Sequence, residues 1–345
     1  MKTTIYGSLQ NNYNKDMNYL ELKQDTTLSH NSEMQYFNSF FQDLLKGLQS
    51  GKYITDKGTK YSLTTIRHYK NAYDWFVFWE AHIGIQLQMN EVIYNTVEMF
   101  KTFLSNYHLT LNSVSVIISK IKSVLNFAFK SGKHFWNGTG IKIVKEKNPK
   151  TYLTIEELKQ MRSCKFLTAA EEMVLDNFTI QFYIGQRYET TQRFLKQPFA
   201  FTRQHGEFSY IEIEAYKTGN VSYIPLGEIV KGIIQKYNGL VPVYSRTYIN
   251  RIIKVVAFKA GLIQLIATRE TRNQKVVREF IPKYSLISTH TARRSLVSNL
   301  KQLNFSNQSI MGITSHGTEV QLNDYNRSQV EKIKSILGHE FFNKI

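Results

Sequence analysis

The chain has 345 residues, 42% of them hydrophobic, which is enough for two domains with ordinary buried cores. Its 44 Lys and Arg against 27 Asp and Glu give a formal charge of +17, an excess that points to a polyanionic partner such as nucleic acid. A single cysteine, Cys164, excludes an intramolecular disulfide and a cysteine-rich zinc site and fits a reducing cytoplasm; no apolar run is long enough for a membrane span, and the N-terminal MKTTIYGSLQNN lacks a signal-peptide core.

Residues 1–32, polar and Asn-rich, read as a flexible extension. From about 33 the pattern turns helical: Met34, Phe37, Phe40, Phe41, Leu44, Leu45 and Leu48 keep a 3–4 spacing. A second helix starts at a cap, Ser62 or Thr64, and carries Ile66, Tyr69, Tyr73, Phe76 and Trp79 on one stripe. A third covers about 90–106, and a fourth lies within 111–132, closed by Gly132. Four helices with short connections predict an all-α domain over 33–136.

Residues 137–150, NGTGIKIVKEKNPK, read as a linker. Its Lys142, Lys145, Lys147 and Lys150 either lie along a phosphate backbone or are simply solvated. A second domain is expected over 151–345. It opens on a capping box, Thr154 with Glu157, followed by a long apolar helix over about 170–184 that ends at Gly185. FSYIEIEAYK and VSYIPL, joined by TGN, predict a β-hairpin. Helices resume at about 227–237, 246–260, 291–303 and 306–312, so the fold class is mainly α with a small antiparallel sheet.

In THTARRSLVSNLKQL, residues 289–303, the apolar stripe is Leu296, Val297, Leu300 and Leu303. Stepping back from Val297 by four and then three residues places Arg293 and His290 on or beside that stripe, with Arg294 pointing away toward Ser298 and Lys301. A cation on a core-facing stripe needs a counterpart, either a buried carboxylate or a phosphate. Downstream, ITSHGTEVQLNDYNR holds His316 and, nine residues later, Tyr325. On one continuous helix the two would face opposite ways.

His290-x-x-Arg293, then His316, then Tyr325 resembles the tyrosine recombinase (phage integrase) family. Two further pieces of that pattern are Arg187 in FYIGQRYET and Lys217 in AYKTGNVSYIPL, so all six positions occur in order. The resemblance covers about 33–345, including KYSLTTIRHYK at the entry to the second helix. Two departures stand out. The usual Gly-His order is Ser315-His316 here, with Gly317 after the histidine, and the Arg187 turn lacks the common Ser-Glu pair.

The resemblance implies an all-α core-binding domain and a mixed α+β catalytic domain that together clamp double-stranded DNA. It implies a site-specific recombinase acting through a 3′-phosphotyrosine, with Gly317 permitting the break that brings His316 and Tyr325 to one site. Arg187 and Arg293 would hold the phosphate, Tyr325 would attack it, His290 would take its proton, Lys217 would protonate the leaving 5′ oxygen and His316 would hydrogen-bond the phosphate. No cofactor, ATP or metal is implied. A homotetramer on two DNA sites is implied, with residues 326–345 docking on a neighbouring protomer or in cis, with or without a DNA-bending accessory protein, in a bacterial or phage nucleoid. A type IB topoisomerase-like or telomere-resolving enzyme shares this chemistry. A non-catalytic DNA-binding relative is the alternative from another class.

Overall fold

The computed structural model describes residues 35–147, 150–216 and 219–323. The extension at 1–32, Lys217, Tyr325 and the tail 326–345 lie outside the described residues. The chain divides into two compact units, Met1–Val144 and Lys145–Ile345.

The first unit is all-α among its described residues. Helices α1 (Phe37–Ser50), α2 (Leu63–Ile83), α3 (Tyr94–Asn106) and α4 (Leu111–Lys130) surround one core. Their ends follow from local chemistry. Ser62 caps α2 by accepting from the Thr65 amide, Thr110 caps α4 through the Ser113 amide, and Gly51 and Gly84 close α1 and α2 with left-handed backbones. The expected third helix begins later than its pattern suggests, because a 3-10 turn, Met89–Glu91, precedes α3. Aromatic rings fill the centre: Phe76 lies 4.8 Å from Phe37 and 5.3 Å from Phe100, centroid to centroid. The segment after α4 is not loose. Ile141 is buried in this core, and the carbonyls of Ile141 and Val144 accept from Lys122 and Ser115.

The second unit is mixed. Helices α5 (Ile155–Arg162), α6 (Ala169–Ile184), α7 (Tyr188–Lys196) and the short α8 (Pro198–Phe201) lead into β1 (Thr202–His205), β2 (Phe208–Glu214) and β3 (Val221–Pro225). Then come α9 (Glu228–Lys236), α10 (Arg246–Lys259), β4 (Leu265–Arg272), β5 (Lys275–Pro282), the single turn α11 (Lys283–Leu286), α12 (Thr289–Gln302), α13 (Asn307–Thr314) and α14 (Glu319–Asn323). Capping boxes at Thr154 and Thr168 start α5 and α6.

Helix α6 is apolar nearly all round because two cores share it. Leu175, Phe178 and Phe182 pack with α5 and α10, while Ile180 and Ile184 pack with β2, β3 and α9. The three-stranded sheet is antiparallel in the order β1-β2-β3, with Glu214 opposite Val221. Its inward residues, Ile211, Ile213, Ser222 and Ile224, alternate as the sequence pattern requires. The sequence reading missed α7, the short helices α8 and α11, the edge strand β1 and the whole β4–β5 hairpin, which turns at Asn273 and Gln274 with φ of 47° and 57°.

Helix α12 corrects its sequence reading in two places. Leu303 is 61% exposed and not part of the core stripe, and Arg294 does not point to solvent. Arg294 is buried and its Nη1 donates to the Thr151 carbonyl at 3.0 Å. The helix is enclosed on most sides, so residues opposite the Val297 stripe are buried too, and they carry hydrogen-bonding groups. Ser295 accepts from the Leu153 amide, and Asn299 donates to the Leu153 carbonyl.

Candidate active site

Four of the six sequence-selected residues belong to one neighbourhood of the second unit. Arg187 comes from the turn after α6, His290 and Arg293 from the first turns of α12, and His316 from the chain just past α13. The turn at Gly185 brings the first two elements together. Its φ is +62°, and a Cβ built there would meet Leu296 Cδ2 at 2.3 Å, so both conformation and contact call for glycine. The Gly185 carbonyl accepts from Arg293 Nη1 at 2.8 Å, linking the Arg187 turn directly to α12.

Arg293 is fully buried, and its Nη2 lies 3.0 Å from His316 Nε2. Two of its partners are thus a neutral carbonyl and an imidazole. Arg187 sits at the N-cap of α7, and its Nη1 is closed off from solvent with no hydrogen-bond partner among the described residues. An orphaned guanidinium N–H is what a phosphate oxygen satisfies.

Both histidines are held neutral. His316 is pushed down to about 3, first by burial, then by Arg293, Arg187 and His290. His290 is pushed down to about 4, first by loss of water around the ring, then by Arg294, Arg293, Lys150 and Arg187, although the residue keeps an exposed face. Both rings therefore feel Arg187 and Arg293, and His290 feels Lys150 as well. Lys142, Lys145, Lys147 and Lys150 are all exposed. The Glu146 carboxylate among them accepts from the Thr271 amide and hydroxyl, fastening this stretch to the tip of the β4–β5 hairpin.

The break was expected at Gly317, after His316, but the left-handed residue lies before the histidine. Ser315, not Gly317, closes α13, with φ 53° and ψ 39°; Gly317 has no left-handed φ. This is the position at which the related pattern carries glycine, and here a serine takes the left-handed conformation while its hydroxyl bonds the Ser222 hydroxyl on β3.

Sequence reasoning missed the residues that join these pieces. Gln186 is fully buried, and its Nε2 donates to the Ile313 carbonyl at 2.6 Å and to Ser222 Oγ at 3.1 Å. It therefore ties the Arg187 turn to the strand that follows Lys217 and to the helix that precedes His316. Thr314 is buried beside His316 Nδ1. Only the position of Gln186 next to Arg187 hinted at this role. Arg193 is occupied within the fold, donating to the Glu214 carbonyl and lying over the Phe201 ring. Among the described residues no group of three His, Cys, Asp or Glu side chains could hold a metal ion.

The fold recurs in solved structures. The chain superposes on XerH site-specific recombinase bound to palindromic difH substrate in a post-cleavage complex, with TM-score 0.64, 12% identity, and coverage of 89% of this chain and 98% of that one. A lambda integrase tetramer bound to a Holliday junction matches at TM-score 0.60 and 15% identity, covering 89% and 86%. The Tn1549 transposon integrase in complex with circular intermediate DNA matches at 0.60 and 11%, covering 88% and 100%. The chain has the tyrosine recombinase fold. No family model and no curated protein matches its sequence. The tyrosine recombinase fold thus persists here at 11–15% identity in the matches above. At that distance packing pattern is retained while surface residues are free to change.

Proposed function

We propose that the protein is a site-specific DNA recombinase that breaks and rejoins DNA through a covalent 3′-phosphotyrosine. The observation that carries this reading is the convergence of Arg187, His290, Arg293 and His316 on one site, with a shielded guanidinium N–H of Arg187 left for an anion. The bound substrates of the structural neighbours support DNA as that anion, and the Holliday-junction tetramer supports a homotetramer on two sites. The chain's charge of +17 agrees.

In the proposed reaction Arg187 and Arg293 clamp the non-bridging oxygens of the scissile phosphate, where charge builds in the transition state. Tyr325 Oη attacks phosphorus, and the bond from phosphorus to the 5′ oxygen breaks. His290, neutral at pH 7, accepts the tyrosine proton, and Lys217 gives a proton to the leaving 5′ oxygen. The phosphate's negative charge raises the basicity of His290 as it binds. Attack by the 5′ hydroxyl of another strand reverses each bond change and releases Tyr325. The energy of the broken bond stays in the phosphotyrosine, so the scheme needs neither ATP nor metal. Lys142, Lys145, Lys147 and Lys150 contact the backbone beside the cleavage point.

The test is strand exchange between two DNA segments carrying the site taken from DNA flanking the gene. Wild-type protein yields recombinant junctions and the Arg187→Ala variant does not. Relaxation of supercoils without exchange would move the reading to a topoisomerase.

A further inference from the structure

Two neighbours of His316 assign its tautomer. Thr314 Oγ1 lies 2.6 Å from the Ile310 carbonyl oxygen. Two oxygens that close share a hydrogen, and only the hydroxyl has one, so Thr314 donates to Ile310. Its lone pairs then face His316 Nδ1 at 2.7 Å, and Nδ1 must carry the ring proton. The other side of the ring gives the same answer independently. A guanidinium only donates, so Nε2, 3.0 Å from Arg293 Nη2, is the acceptor.

We propose, on the recombinase reading of this site, that Thr314 is a positioning residue that fixes His316 as its Nδ1–H tautomer and thereby orients Arg293 for the phosphate. The relay runs from the Ile310 carbonyl through the Thr314 hydroxyl and the His316 ring to the Arg293 guanidinium. Thr314 and Arg293 are fully buried and His316 is nearly so, which leaves no water to replace a missing link. The opposite tautomer would set Nε2–H against the Arg293 N–H.

The experiment is a long-range proton–nitrogen correlation on the full chain with nitrogen-15 histidine, the His316 signals being those lost in His316→Gln. Wild type should show Nδ1 protonated at pH 7. Thr314→Val keeps the shape and removes the acceptor. It leaves Arg293 as the one remaining constraint on the ring, so a detectable Nε2–H fraction should appear beside Nδ1–H, and it should slow covalent adduct formation on nicked suicide DNA about tenfold, the worth of one hydrogen bond, with DNA affinity unchanged. Thr314→Ser should restore both the spectrum and the rate. A wild-type spectrum with Nε2 protonated overturns the proposal, whether or not the valine variant folds; so does a valine variant that cleaves at the wild-type rate. Absence of any adduct from wild type would instead defeat the recombinase reading, and the spectrum would still decide the tautomer.

Discussion

A guanidinium held away from water with one N–H unused costs stability, on the order of 1–3 kcal/mol. Arg187 bears that cost, and its Nη1 has no partner among the described residues. A ligand anion recovers it. Lysine offers one charge but no planar fork, so Arg187→Lys should keep DNA binding and lower the single-turnover cleavage rate by about 10²-fold. The two histidines make a separate prediction about stability. Their folded values, about 3 for His316 and about 4 for His290, lie below the ordinary imidazole value of about 6.5. The unfolded chain therefore binds more protons in that window, and folding stability rises with pH. The contribution is complete above about pH 6.5 and is lost as pH falls toward 4 and then 3. Thermal melting of wild type and His316→Gln should show a stability difference that is largest near pH 7 and narrows on acidification. A difference that grows with acid would contradict the cause given for these shifts.

Among the elements, two glycines give opposite expectations. Gly185→Ala forces a side chain into a left-handed backbone and against Leu296, and should destabilise the fold by about 2–4 kcal/mol. Gly317 has no left-handed φ, and a Cβ there would meet only Gln321 Oε1 at 3.8 Å, so Gly317→Ala should change stability by less than about 0.5 kcal/mol. Denaturant titration of both variants checks the pair. Sequence spacing correctly placed Arg293 on the buried stripe, because such a stripe has a fixed period. It could not say that Ser315 and not Gly317 takes the left-handed turn, since serine seldom does so and the Ser222 contact that accompanies it comes from a distant strand. Helices with caps and one apolar face were legible for the same local reason. The β4–β5 hairpin was not, because Leu265 and Phe280 lie on an exposed face, Arg269 sits opposite Arg278, and the turn has no glycine. Arg294 was misjudged because a helical wheel assumes one solvent side, and α12 is enclosed on most of its circumference.

For the whole molecule, the charge of +17 sets how it would meet DNA under the proposed function. Each phosphate neutralised releases counterions, so binding weakens with salt in proportion to the number of contacts. Replacing Lys142, Lys145, Lys147 and Lys150 together by glutamine should lower the slope of log affinity against log salt by about 3 to 4. An unchanged slope would return those lysines to the solvated surface. The proposed chemistry makes Tyr325 the nucleophile. The most direct measurement is covalent trapping on nicked suicide DNA carrying the cognate site. Wild type is predicted to give a slow-migrating, protease-sensitive adduct, and Tyr325→Phe none. An adduct from both would place the nucleophile elsewhere, and none from either, with specific DNA binding intact, would contradict the catalytic account.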